Sequence, residues 1–120
     1  MTNKELVLKF YDRVFNQWDL SELDDMMRED YIQHSPEVKD GRAGFREFIT
    51  GFIAMRPHAH IIHALEDGDL VCIFFRCTMG NGAEVKVFDL YRIQEGKLAE
   101  HWDCTMNTAG IPIHNSNGHF

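Results

Sequence analysis

The segment from Val85 to Asp103 limits the fold of this chain more than any other, because strand-forming patterns there carry ionisable groups that a protein core disfavours. Its two halves flank Gln94-Glu95-Gly96, which predicts two antiparallel strands joined by a three-residue turn with a left-handed glycine. Side chains alternate along each strand. The groups predicted to share one face are Val87, Asp89, Tyr91, Ala99, His101 and Asp103.

The register of this hairpin decides which residues meet. A three-residue turn predicts the cross-strand pairs Ile93–Lys97, Asp89–His101 and Val87–Asp103. The opposite face is then predicted to carry Phe88, Leu90, Arg92, Leu98, Glu100 and Trp102. A turn longer by one residue would separate the polar cluster, so the grouping depends on the register.

Two carboxylates and a histidine on one strand face most often mark a solvated surface. Here both faces of the hairpin carry large apolar groups, which predicts that both are covered and that Asp89, His101 and Asp103 line a cavity. Burial raises the pKa of a carboxyl group, and a second carboxylate nearby raises one of the pair further. We therefore expect the two aspartates to titrate apart, one acting as donor and the other as base in proton transfer.

Composition indicates a single domain, residues 1–120, of a soluble protein that is 44% apolar and 26% charged. The formal charge of −7 and the lack of a basic run argue against a nucleic-acid partner. Since no apolar stretch is long enough to cross a bilayer and the N-terminus is unlike a secretory signal, we expect no membrane partner and a cytoplasmic location. The three cysteines form no C-x-x-C pair and are expected to be reduced.

The seven histidines do not indicate a metal centre. His58 and His60 fall on one strand face and His63 on the other, and neither H-E-x-x-H nor a cysteine–histidine finger spacing occurs. We expect no dedicated metal site.

Hydrophobic periodicity predicts three helices with one short strand among them, followed by four long strands. A capping box at Thr2 and Glu5 begins the first helix, and Pro57 ends the third. The predicted helices are Asn3–Gln17, Glu22–Arg28 and Ala43–Met55, and the strands before the hairpin are Tyr31–His34, His58–Glu66 and Leu70–Met79. This order predicts an α+β fold, a cone-shaped, curved antiparallel sheet of four to six strands with three helices on its concave side. The mouth of such a cone is a usual place for a ligand pocket.

The outer face of the predicted sheet has no helix left to cover it. A patch formed by Phe88, Leu90, Leu98 and Trp102 is unusual on a monomer, so the sequence predicts a homodimer through this face. Trp102 is the expected aromatic anchor of that interface.

Three motifs carry a resemblance to a known family: D-Y-I-Q-H-S-P, D-G-R-A-G-F-R-E-F and V-F-D-L-Y-R-I-Q-E-G-K-L-A-E-H-W-D. With the order of elements, they resemble the SnoaL-like polyketide cyclase group, within the cone-shaped superfamily of nuclear transport factor 2 and ketosteroid isomerase. The likeness spans essentially the whole chain. It is greatest to a small bacterial branch described as SnoaL-like aldol-condensation-catalysing proteins, although Ser35 stands where asparagine is usual.

The resemblance implies aldol ring closure on a small hydrophobic carbonyl compound, without a cofactor and with an acidic residue as acid and base. It assigns that role to Asp103 or Asp89, with His34 and His101 as hydrogen-bonding or proton-shuttling partners. Apart from these residues, the cavity residues expected to contact a ligand are Tyr11, Tyr31, Tyr91 and Val87. The three tyrosines are expected to donate a hydrogen bond to an oxyanion, unless they are core groups that bond the backbone. Because a shared fold does not fix chemistry, a non-catalytic ligand-binding or dimerising module is the alternative.

Overall fold

The computed structural model describes residues 1–120 and confirms the α+β class, with three helices and a curved five-stranded sheet. The helices are α1 (Asn3–Phe10, continued by a π-helical segment, Tyr11–Asn16), α2 (Leu23–Met26) and α3 (Gly41–Ile53). The strands are β1 (Met27–Gln33), β2 (His58–Asp67), β3 (Leu70–Thr78), β4 (Glu84–Gln94) and β5 (Lys97–Asn107). None of the helices combines the length and the apolar character of a membrane span.

The first helix begins as predicted, since Thr2 and Glu5 form a reciprocal capping box with two hydrogen bonds of 3.0 Å. It does not remain α-helical to Gln17, because it widens into a π-helix at Tyr11. The Asn16 side chain there bonds the backbone N–H and C=O of Ala59, which ties the segment to β2. Such widened turns are frequent at functional sites, and this one begins at a tyrosine of the candidate site.

The sheet has the strand order β1-β5-β4-β3-β2. The four long strands form the predicted antiparallel ladder, but β1 pairs with β5 in parallel, which the sequence did not predict. No hairpin joins β1 to its neighbour, since the chain leaves β1 through α3 and reaches β2 at the far edge of the sheet. Its direction is therefore not fixed by a tight turn.

The predicted register of the β4–β5 hairpin is wrong, although its faces are largely right. The turn has two residues, Glu95 and Gly96, both at positive φ, and Gln94 pairs with Lys97. A bulge beside Ala99 then shifts the register once more, and the resulting pairs include Tyr91–His101, Asp89–Asp103 and Val87–Thr105. Two shifts of one residue each restore the parity of the alternation, so Asp89, His101 and Asp103 still share the concave face.

Leu98 is the residue that the bulge moves. It pairs with Ile93 and is fully buried in the core, whereas the predicted register put it on the outer face. Phe88 does lie on that outer face, 47% exposed, and its ring stacks on that of Phe74 with centroids 4.4 Å apart. The C-terminal Phe120 also lies against Phe74, so the tail covers part of this face.

The helices and the concave sheet face enclose one continuous core, in which α1, its π segment and α3 meet β3 and β4. Helix α3 approaches the preceding loop closely at Gly44, where a Cβ atom would overlap the backbone of Lys39. Gly51 in the same helix is exposed and has no neighbour within 4 Å of such an atom.

This contrast predicts opposite effects of one substitution at two positions. Gly44→Ala should lower the free energy of unfolding by about 1–3 kcal/mol through overpacking. Gly51→Ala should raise it by about 0.5–1 kcal/mol, because alanine loses less conformational entropy in a helix. Urea denaturation of both variants checks this, and equal effects at the two positions would contradict the packing described for α3.

Candidate active site

A cavity of about 180 Å³ lies between the helices and the concave face of the sheet. Most of its wall is apolar, and its aromatic part consists of Phe15, Phe45, Phe48, Phe52, Phe75 and Tyr91. Cys77, Val85 and Val87 complete the apolar wall, and the polar groups that line it are Gln33, Ser35, Asp89, His101, Asp103 and Thr105. An apolar cleft with a few converging polar groups is the usual form of a small-molecule site.

Asp89 is the buried centre of the polar cluster, with only 5% of its surface exposed. Its Oδ1 lies 3.0 Å from Nε2 of His101, which is also buried. Its Oδ2 accepts a hydrogen bond from the hydroxyl of Tyr11, and that hydroxyl lies 3.0 Å from the hydroxyl of Tyr91. These contacts satisfy a carboxyl group whose burial would otherwise be costly.

Gln33 fixes the histidine of this cluster, and the sequence reasoning did not identify it. Its Oε1 accepts the backbone N–H groups of His34 and Ser35 at 3.0 and 3.1 Å, so the amide oxygen must face that side. The same oxygen lies 2.9 Å from Nδ1 of His101, which must therefore carry a proton. The remaining ring nitrogen, Nε2, points at Oδ1 of Asp89, and the hydrogen bond between them requires a second proton, carried by one of these two atoms.

Asp103 is the free carboxylate of the site. It lies directly opposite Asp89 in the β4–β5 ladder, and its side chain is partly exposed. Its carboxylate, unlike that of Asp89, makes no hydrogen bond or ion pair with another protein group. An unpaired carboxylate in an apolar cavity can accept a proton from a bound molecule.

Asp89, His101 and Asp103 also have the donor types of a metal site, with ligand atoms within 4.8 Å of one another. However, Asp89 and His101 point at each other and are hydrogen-bonded, so an ion between them would have to break that contact. The arrangement therefore suits proton transfer better than coordination.

The hydroxyls of the three tyrosines remain neutral donors over a wide pH range. Burial, followed by the charge of Asp89, raises the pKa of Tyr11 and of Tyr91 well above the ordinary value near 10. Tyr31 has a raised pKa for the same reasons. Its hydroxyl accepts a hydrogen bond of 3.3 Å from the Gln33 amide. Tyr91 and Val87 line the cavity as expected, whereas Tyr11 and Tyr31 lie behind that lining and reach the site through Asp89 and Gln33.

His34 lies outside the cavity, so its predicted position is wrong. Its Nε2 is 2.8 Å from a carboxylate oxygen of Glu100, and its ring stacks on Trp102 with centroids 5.0 Å apart. The cause is the parallel pairing of β1 with β5, which places Gln33 opposite His101. Alternation then turns Gln33 inward and His34 outward.

Comparisons with known proteins agree with this architecture. The family model for SnoaL-like polyketide cyclases matches residues 5–109. No curated protein matches the chain. Among solved structures, IdmH from Streptomyces antibioticus, a candidate polyketide cyclase, is similar with a TM-score of 0.75 and 19% identity over 88% of this chain and 92% of its own.

Two further solved structures share the fold. An NTF2-like protein of unknown function from Cytophaga hutchinsonii has a TM-score of 0.73 and 18% identity, covering 88% of this chain and 91% of its own. A candidate ketosteroid isomerase from Kribbella flavida has a TM-score of 0.74 and 18% identity, covering 84% and 75% respectively. At these identities the likeness establishes the fold alone.

Burial of all three tyrosines predicts a coupled alkaline transition. Folding raises the pKa values of the three phenols above the value of ~10 that they have in the unfolded chain. The contribution of the buried neutral phenols to folding stability is therefore complete below that pH and is lost as the pH rises above it. Phenolate absorbance should therefore appear only together with unfolding, which circular dichroism monitors. Phenolate absorbance at about pH 10 in a chain that keeps its native circular dichroism would contradict the burial of the three tyrosines.

Proposed function

We propose that this chain, which belongs to the SnoaL-like polyketide cyclase family, catalyses proton transfer beside the carbonyl group of a small hydrophobic compound. The reaction class is that of an aldol-type cyclase or an isomerase, by general acid–base catalysis without a cofactor. The observation that carries the proposal is the unpaired carboxylate of Asp103, which lines an apolar cavity beside the hydrogen-bonded pair of Asp89 and His101.

In the proposed reaction Asp103 is the base. Its carboxylate takes the proton from the carbon next to the carbonyl group, and the electrons of that C–H bond form the enolate. The enolate lies beside the Asp89–His101 pair, whose dipole stabilises the developing charge electrostatically, since both ring nitrogens of His101 are already bonded to Gln33 and Asp89. In a ring closure, the enolate carbon forms a C–C bond with a second carbonyl carbon, the C=O π electrons of that carbonyl move to its oxygen, and the new alkoxide takes up the proton that Asp103 removed. The proton count is unchanged over the cycle.

The surroundings of the two aspartates favour different roles. Asp89 is held by Tyr11 and His101 and is nearly inaccessible, so it is suited to orienting the histidine. Asp103 is accessible and has no competing partner, so it is suited to meet the substrate. The phenylalanines of the wall lower the polarity of the site, which strengthens each of these electrostatic interactions.

Asp103→Asn tests the proposal without a known natural substrate. Acetophenone in D₂O reports enolisation directly, because its methyl protons exchange for deuterium and the loss is followed by NMR. We expect the wild-type chain to accelerate the exchange and Asp103→Asn to lower the rate by at least about 100-fold, the scale of a lost general base.

The matched control is Asp25→Asn, which removes an exposed carboxylate that forms no side-chain hydrogen bond. It should exchange acetophenone at the wild-type rate. Equal rates in wild type and Asp103→Asn would show that Asp103 is not the base.

The second candidate function is that of a non-catalytic small-ligand-binding or dimerisation module of the same fold, and the exposed outer face favours dimerisation. Phe88 is 47% exposed on this face beside Phe74, and Trp102 is partly exposed. We propose that a second copy of the chain covers these rings, since such a patch is uncommon on a monomer.

Sedimentation at micromolar concentration checks the dimer. The wild-type chain should sediment as a dimer, and Trp102→Ala and Phe88→Ser should each weaken it, since buried aromatic anchors commonly contribute ~2 kcal/mol or more to association. A monomeric wild-type chain would rule out this interface.

A further inference from the structure

Ser35 has a buried hydroxyl with no partner inside the protein. The residue is 4% exposed, it lines the cavity, and its Oγ makes no hydrogen bond. A hydroxyl that is removed from water without a partner costs about 1–3 kcal/mol by mutational measures. Ser35 lines the cavity, and rotation of its side chain would turn the hydroxyl toward that space, where a bound molecule could supply the missing partner.

The backbone around Ser35 is fully engaged, so the free hydroxyl is not a sign of a loose loop. The Ser35 N–H donates to Oε1 of Gln33 at 3.1 Å, and its C=O accepts from the N–H of Val38 at 3.1 Å. The same Gln33 oxygen holds His101. One amide group therefore positions Ser35 and the imidazole relative to each other.

The size of the cavity limits what can bind. Its volume of about 180 Å³ is close to the ~150 Å³ of an apolar protein cavity that holds a single benzene ring. It is smaller than the ~300–1,000 Å³ usual for drug-sized ligands. Five phenylalanines in the wall favour an aromatic or alicyclic ring over a polar chain.

We propose that Ser35 anchors an oxygen atom of a ligand that inserts one ring into this cavity, as a hydrogen-bond donor and specificity-determining residue. The inference deepens the proposed function and rests on it for the class of ligand, a one-ring carbonyl compound. The hydroxyl would donate to the carbonyl oxygen, and Asp103 would meet the neighbouring carbon. Rotation of the serine about its Cα–Cβ bond gives the hydroxyl three staggered positions from which to make this contact.

Binding of a matched pair of probes tests the anchor. Acetophenone and isopropenylbenzene have nearly the same shape, but the second has a CH₂ group in place of the carbonyl oxygen. The wild-type chain should bind acetophenone about tenfold more tightly, as measured by NMR titration. In Ser35→Ala this preference should fall to near unity, because the donor is absent.

Ser35→Ala should fold, since Oγ bonds nothing in the chain, and circular dichroism verifies this. Ser35→Cys, which keeps the approximate shape but donates weakly, should show an intermediate preference. Thr105→Val removes another hydroxyl of the same cavity. Loss of the preference in Thr105→Val but not in Ser35→Ala would overturn the assignment to Ser35.

The remaining outcomes separate this inference from the proposed function. Acetophenone bound with the Ser35-dependent preference, but with no accelerated proton exchange, would support the anchor and contradict the catalytic proposal. Accelerated proton exchange, together with an unchanged preference for acetophenone in Ser35→Ala, would support the catalytic proposal and contradict the anchor. Failure of acetophenone to bind, or about tenfold tighter binding of 2-acetylnaphthalene, would overturn the one-ring class.

Discussion

The hydrogen bond between the carboxyl group of Asp89 and the imidazole of His101 is the interaction on which the rest of this structure depends. A carboxyl group amid valine, phenylalanine and tyrosine side chains is costly to bury, and the cost is offset only when partners surround it. Those partners come from three separated parts of the chain: Tyr11 from the first helix, His101 from β5 and, through the histidine, Gln33 from β1. The same contacts that make the buried group tolerable therefore also position a candidate active site.

The short strand β1 has a role larger than its length suggests. Its parallel pairing with β5 places Gln33 opposite His101, and one amide oxygen then receives three N–H groups. This fixes the proton on Nδ1 of the imidazole and leaves Nε2 to Asp89. Orientation of a histidine by a group behind it is a general means of setting which nitrogen does the chemistry. The site is thus preorganised by the fold rather than assembled by a ligand.

The alternation of side chains was sufficient to predict from the sequence that Asp89, His101 and Asp103 share a face, although the predicted pairs were wrong. A shorter turn and a bulge each shift the strand by one residue, and the two shifts together preserve the parity. Bulges leave no clear sequence signal, which is why Leu98 was misplaced. Gln33 and His34 were misjudged because their orientation depends on a parallel partner more than 60 residues away in sequence, as the 66-residue separation of His34 and Glu100 illustrates. Local periodicity contains no information on that pairing.

The proton on Nδ1 of His101 tests the central claim most directly. Long-range ¹H–¹⁵N spectra distinguish protonated from unprotonated ring nitrogens, and loss of one signal set in His101→Asn assigns this residue among the seven histidines. The structure predicts a protonated Nδ1 at neutral pH, whether or not Nε2 also carries a proton, because the Gln33 amide oxygen faces it. An unprotonated Nδ1 with the proton on Nε2 would show that Gln33 does not orient the histidine, and the described network would be wrong.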